Sequence, residues 1–244
     1  MEQLQFDAYG QFPPQDYVEL ALLRHGESCG NRDKDIVQGS GPDPSNRLTC
    51  DVESQAARLA GTILGAGILA TGVWVSPLAR ARQTCEISTE IMDYSLPIIE
   101  DERLREMCKG LVGLPGGMEG RWRTLVETEE YWQQYKEQGW KFRHGSEESK
   151  GETAEEVGVR ALAAMNDAAD YLAAQPLPFR PGWRPAGLLY AHGQTIRFGV
   201  GAALGWPDID VVNKEYRLGN CHGIIMRRYT ENGLWEMSGR INPS

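Results

Sequence analysis

Four histidines occur in the chain, each directly before a glycine, and two of these steps, in RHGES (24–28) and AHGQTIR (191–197), follow a short apolar run, VELALL (18–23) and GLLYA (187–191). A third run, GVWVS (72–76), leads into SPLARARQT, which carries Arg80. Imidazole supplies a nucleophile or a proton carrier near neutral pH, and guanidinium offers a planar fork of donors that matches phosphate oxygens in pairs. A glycine after each histidine lets a ligand approach the backbone closely. Arg24, His25, Arg80 and His192 together therefore describe a pocket for a phosphoryl group, whereas Arg82 alone reads as a surface ion pair.

Those residues need a scaffold that brings three chain segments to one edge. The three runs are apolar on both faces, as in buried parallel strands. Helical patterns follow them: TCDVESQAARLAGTILG (49–65), ARARQTCEISTEIMDY (79–94) and GQTIRFGVGAALG (193–205). The clearest helix starts at Thr153, where TAEE supplies a capping box with Glu156 reaching back. Its Gly158, Leu162, Met165, Ala169 and Leu172 form one stripe facing a core. HGIIMRRY (222–229) and LWEMS (234–238) add a late strand pair, and PIIE (97–100) an edge strand. This alternation predicts an α/β three-layer sandwich, with a mostly parallel central sheet flanked by helices. Ligands bind outside the carboxyl ends of such strands, where helix N-termini near Ser76 and Gly193 add amides suited to an anion.

Residues 1–17 read as an extension, and 18–244 as one domain without internal repeats. Its segment 109–150 is expected to form a cap over the carboxyl ends of the strands, the alternative being a surface loop without a ligand role. With 25 Lys and Arg against 34 Asp and Glu, the net charge of −9 disfavours nucleic acid and anionic membranes as partners. The partner implied is a small phosphorylated substrate, and a homodimer is left open. The five cysteines are widely spaced without a CxxC pair, which suggests reduced thiols in a cytoplasmic protein, each packed in the interior. The N-terminus lacks the basic start and apolar run of a signal peptide, and no stretch reaches the roughly 18 apolar residues of a membrane span.

RHGES with Asn31 after it, Gln38–Gly39, SPLARARQT, LREMCKG (104–110), KGETAEEVGVR (150–160) and AHGQTIR, in this order, resemble the phosphoglycerate mutase-like histidine phosphatase superfamily. The likeness runs from about residue 18 to about 229. It implies that His25 is the nucleophile and becomes a phosphohistidine, while Arg24, Arg80 and His192 clamp the phosphoryl oxygens. Asn31, Gln38, Gly39 and the backbone of Gly193 bind substrate under the same resemblance. Glu106 matches the general acid, in a block less regular than the family's, with Glu102 and Glu119 as substitutes. No metal or other cofactor is implied.

Other residues read more plainly. His144 belongs to a polar loop, although with Arg143 it could touch an anionic substrate tail, as could Arg121. His222 reads as a hydrogen-bonded core or edge residue, and Trp122, Trp132 and Trp140 as core or cap packing. The expected activity is a metal-independent phosphomonoesterase acting on a small phosphorylated metabolite. A phosphoglycerate-type mutase and a non-catalytic phospho-ligand binder are the alternatives.

Overall fold

The computed structural model describes residues 16–32, 48–49, 51–95, 97–109, 129–145, 150–175 and 183–243. Six strands form one sheet: β1 (Tyr17–Arg24), β2 (Ile68–Val75), β3 (Ile98–Glu100), β6 (Arg184–Ala191), β7 (Gly223–Tyr229) and β8 (Trp235–Ile241). Their order is β3-β2-β6-β1-β7-β8. The first four are mutually parallel, β7 runs antiparallel to β1, and β8 pairs antiparallel with β7 at the edge. The expected α/β class with a mostly parallel sheet is thus observed. A separate hairpin pairs β4 (Arg143–Gly145) with β5 (Lys150–Thr153).

Alternation along the strands builds the layers, because successive side chains leave opposite faces. Leu20, Leu22 and Leu189 join Met165, Ala169, Leu172, Ile196 and Val200 on one face. There they pack with α5 (Ala154–Ala173) and α6 (Gly193–Ala203). Ala21, Leu23, Leu188 and Tyr190 point the other way, toward Leu59, Ile63, Ala81 and Cys85. The latter belong to α2 (Val52–Gly65) and α3 (Ala79–Ile91). A third cluster, with Met107, Val157, Phe198 and Val212 at its core, receives Tyr135 of α4 (Glu129–Gln138) and Trp140. Val212 belongs to α7 (Ile209–Glu215), and α1 (Cys29–Arg32) is a single turn after β1.

Several expectations change in detail. β2 starts at Ile68 and β6 at Arg184, both earlier than the apolar runs suggest, because a register shift near Gly72 and polar residues hide the strand starts. β1 is not wholly apolar. Its buried Glu19 is matched by Arg184 at 3.3 Å and Arg227 at 3.0 Å, at the end of the sheet opposite Arg24. On α5 the capping box forms as expected. Leu162, however, lies at the margin of the stripe, and Ala161, Ala164 and Ala168 do the burying. Cys85 and Cys221 are buried, but Cys29 is exposed and Cys108 half-buried, so interior packing does not describe every cysteine. The exposed β3 is the edge strand that PIIE suggests. No helix among the described residues is long and apolar enough to cross a membrane. Most of the extension (1–15), Cys50 and the greater part of the expected cap (110–128 and 146–149) lie outside the described residues.

Candidate active site

The carboxyl ends of β1, β2 and β6 are level with one another, and backbone hydrogen bonds continue the alignment past the last strand residues. The His25 amide donates to the Ala191 carbonyl at 3.1 Å, and the Ser76 amide to the Tyr190 carbonyl at 2.9 Å. The His25 and His192 rings are thereby brought to 5.1 Å between centroids, tilted by 56°. Both are buried, as is Arg80 in the first turn of α3. Neither α3 nor α6 has a side-chain cap at its start, so first-turn amides of both helices remain for a ligand.

The environment of His25 decides its chemistry. Nδ1 donates to the carbonyl of Gly26 at 2.7 Å, which fixes the proton on that nitrogen and leaves a lone pair on Nε2. The Nε of Arg80 donates to Nε2 at 3.3 Å. Burial, then the charges of Arg80 and Arg24, hold the His25 pKa well below the ordinary imidazole range. The ring is therefore a neutral base whose unprotonated Nε2 accepts from Arg80, among cations. Thr84, one turn after Arg80, accepts the Gly26 amide at 2.9 Å and couples the turn to α3.

His192 is neutral for similar reasons, burial first and then Arg80. Its Nε2 lies 2.8 Å from the Ser76 hydroxyl, while its buried Nδ1 has no hydrogen-bond partner. The Ser76 contact thus engages one ring nitrogen and leaves the other, Nδ1, unpartnered. Arg24 donates through Nη1 to the Leu218 carbonyl at 2.6 Å, and its buried Nε has no partner. A Cβ placed on Gly193 would lie 3.5 Å from that Nε, so the guanidinium rests over the start of α6. Desolvation lowers the pKa of Arg24, and the nearby Glu106 carboxylate opposes the shift. The unsatisfied buried Nε of Arg24, beside Arg80 and the uncapped helix starts, makes a site shaped for an anion.

Asn31 sits on α1 with its amide oxygen accepting from Ser28 and from Asn220 Nδ2 at 2.8 Å. Its own Nδ2 is what it has left to offer a ligand. Glu106 is 7 % exposed, with Oε1 accepting the Met107 amide at 2.9 Å and 3.5 Å from the Thr195 hydroxyl. The substitute Glu102 is exposed and paired with Arg105 at 3.0 Å, whereas Glu119 lies outside the described residues. Arg143 is drawn elsewhere: it donates to the Gly151 carbonyl at 2.6 Å and pairs with the capping-box carboxylate of Glu156. With Lys141 and Arg160 it lines an open groove of about 540 Å³. Gln38, Gly39 and Arg121 lie outside the described residues. Arg82 pairs with Glu100 at 3.4 Å on the surface, and Trp140 packs against Phe198 and Trp206, donating to the Pro207 carbonyl. His222 is half-buried, and its carbonyl accepts the Arg24 amide.

Sequence reasoning assigned no role to Leu218 and Asn220 of the loop 217–222, nor to the side chains of Ser76, Thr84 and Thr195. Ser76 and Thr84 flank Arg80 within SPLARARQT and were visible as polar residues on a strand end and a helix turn. Leu218 acts through its carbonyl, which no side-chain pattern signals.

The family model of the histidine phosphatase superfamily (branch 1) matches residues 20–238. Among solved structures, a mycobacterial glucosyl-3-phosphoglycerate phosphatase aligns with a TM-score of 0.68 at 20% identity, covering 91% of this chain and 97% of that one. A phosphoserine phosphatase from Entamoeba histolytica, solved with 3-phosphoglyceric acid, aligns at 0.66 and 17%, covering 92% and 97%. A phosphoglycerate mutase from Bacillus anthracis aligns at 0.64 and 16%, covering 93% of each chain. At these identities the likeness is one of fold. No curated protein sequence matches the chain.

Proposed function

The chain belongs to the histidine phosphatase superfamily, and from that premise we propose that it hydrolyses a small phosphomonoester through a phosphohistidine at His25. The observation that carries this reading is the locked tautomer: Nδ1 donating to the Gly26 carbonyl, and an unprotonated Nε2 that accepts from Arg80 Nε. In the first step Nε2 attacks phosphorus and the bond to the leaving oxygen breaks. Arg24, Arg80 and His192 hold the equatorial oxygens, where charge is spread in the transition state. Glu106 gives its proton to the departing alkoxide. In the second step Glu106 takes a proton from water, the water oxygen bonds to phosphorus, and the P–N bond breaks. Inorganic phosphate leaves, and His25 is again neutral with its proton on Nδ1.

His25→Ala is expected to abolish phosphate release from p-nitrophenyl phosphate while its circular dichroism and melting temperature stay near those of the parent. Alkaline quenching of the parent during turnover should trap phosphate on His25. Undiminished turnover by the variant refutes the reading, and tight phosphate binding without any trapped intermediate supports a binding role instead. Supplying phosphoglycerates in the same assay separates release of phosphate to water from transfer between positions.

A further inference from the structure

The guanidinium of Arg160, on α5, has no donor to spare. Nε donates to Glu152 Oε1 at 2.7 Å, and Nη2 to Glu152 Oε2 at 3.0 Å and to the Glu106 carbonyl at 3.3 Å. Nη1 donates to the carbonyls of Arg103 at 2.6 Å and Arg105 at 2.7 Å. A guanidinium carries five N–H groups, and each of them is matched here. Arg160 cannot grip a ligand without first releasing the segment 103–106.

Glu152 completes the arrangement from the other side. Its Oε2 accepts the Cys108 amide at 2.7 Å, and its own amide donates to the Cys108 carbonyl at 2.7 Å. Glu106 lies between these anchors, with backbone held at 103 and 105 before it, at its own carbonyl, and at 108 after it. Thr195, in the first turn of α6, donates to the Arg105 carbonyl at 2.5 Å. The segment is thus suspended between α5 and the helix that starts beside His192.

We propose that Arg160, aligned by Glu152, is a positioning residue that sets the Glu106 carboxyl against the leaving-group oxygen. The inference rests on the reading of Glu106 as proton donor given above. A lysine could not replace it, since a compact ammonium with three donors cannot span three carbonyls and a carboxylate at once.

Proton donation matters most when the leaving group is a poor one, and least when it departs readily as an anion. Arg160→Lys is therefore expected to lower kcat/KM for phenyl phosphate at least about ten-fold more than for 2,4-dinitrophenyl phosphate, within the 10²–10⁴-fold reach of acid catalysis. Glu106→Gln should show the same selective loss, and the double variant should lose little more than Glu106→Gln alone. An equal fall on both esters, or no fall on either, overturns the positioning role and leaves the phosphatase reading intact. Should Arg160→Lys fail to fold, Glu152→Gln, which removes one acceptor of the clamp, gives the same comparison. A parent protein that turns over neither ester overturns the phosphatase reading and this role with it.

Discussion

An imidazole that stays neutral inside a fold makes stability depend on pH in a calculable way. His25 and His192 are buried and held well below the ordinary imidazole pKa, in each case by desolvation first and the Arg80 charge next. In the unfolded chain both rings take up a proton as the pH falls through about 6.5; in the folded chain they do not. The unfolded state then binds more protons, so stability declines as the pH drops below about 6.5. Each ring contributes a limiting slope of about 1.4 kcal/mol per pH unit, and the two together about 2.8 kcal/mol per unit. His25→Asn removes one ring, so its stability should fall less steeply than the parent's by about 1.4 kcal/mol per unit in that window. Urea titrations from pH 7.5 to 5, at constant ionic strength and in phosphate-free buffer, measure the difference. Carboxylates and the half-buried His222 titrate in both proteins and cancel. Equal slopes would mean that His25 takes up its proton at the same pH folded and unfolded, which refutes the claim that burial and the Arg80 and Arg24 charges hold it neutral below that range.

Gly187→Ala should destabilise the protein by about 1–3 kcal/mol, seen as a lower melting temperature. A Cβ there would meet Leu20 Cδ2 at 2.8 Å, Leu172 Cδ1 at 2.9 Å and Trp74 Cζ3 at 3.0 Å. Arg82→Ala should change stability by less than about 1 kcal/mol and leave kcat/KM unaltered, because its pair with Glu100 is exposed on both sides. Arg80→Ala, two positions earlier, should lower kcat/KM by about 10²-fold or more in the same assay.

The parts of this molecule legible in its sequence are those written locally. Apolar runs that end in His-Gly mark strands whose carboxyl ends carry chemistry, and TAEE marks a helix start by direct hydrogen bonding between neighbours. The stripe on α5 was misread at Leu162 because small residues are what that interface needs. A Cβ on Gly199 would come 2.9 Å from the Ala161 Cβ, so α5 and α6 approach too closely for larger side chains. Support of the site was harder to see. Arg24 is held by the carbonyl of a residue 194 positions away, in a loop where Cys221 takes a left-handed conformation at φ 58°. Backbone groups at such separations leave no mark on composition or periodicity. Arg160 closes the block KGETAEEVGVR without any residue pattern that marks a role, and its meaning depends on three carbonyls from a segment more than 50 residues earlier.

The position of β1 also has a bearing on how the protein is made. It lies between β6 and β7, so that Glu19 faces Ala186 on one side and Arg227 on the other. After leaving the ribosome, this strand must therefore wait for more than 160 further residues before either neighbour is complete. Such late, non-local pairing slows folding and leaves the nascent apolar strand exposed for the interval. His25 is thus translated long before the pocket that lowers its basicity, and no nascent fragment ending short of β6 can assemble the paired imidazoles.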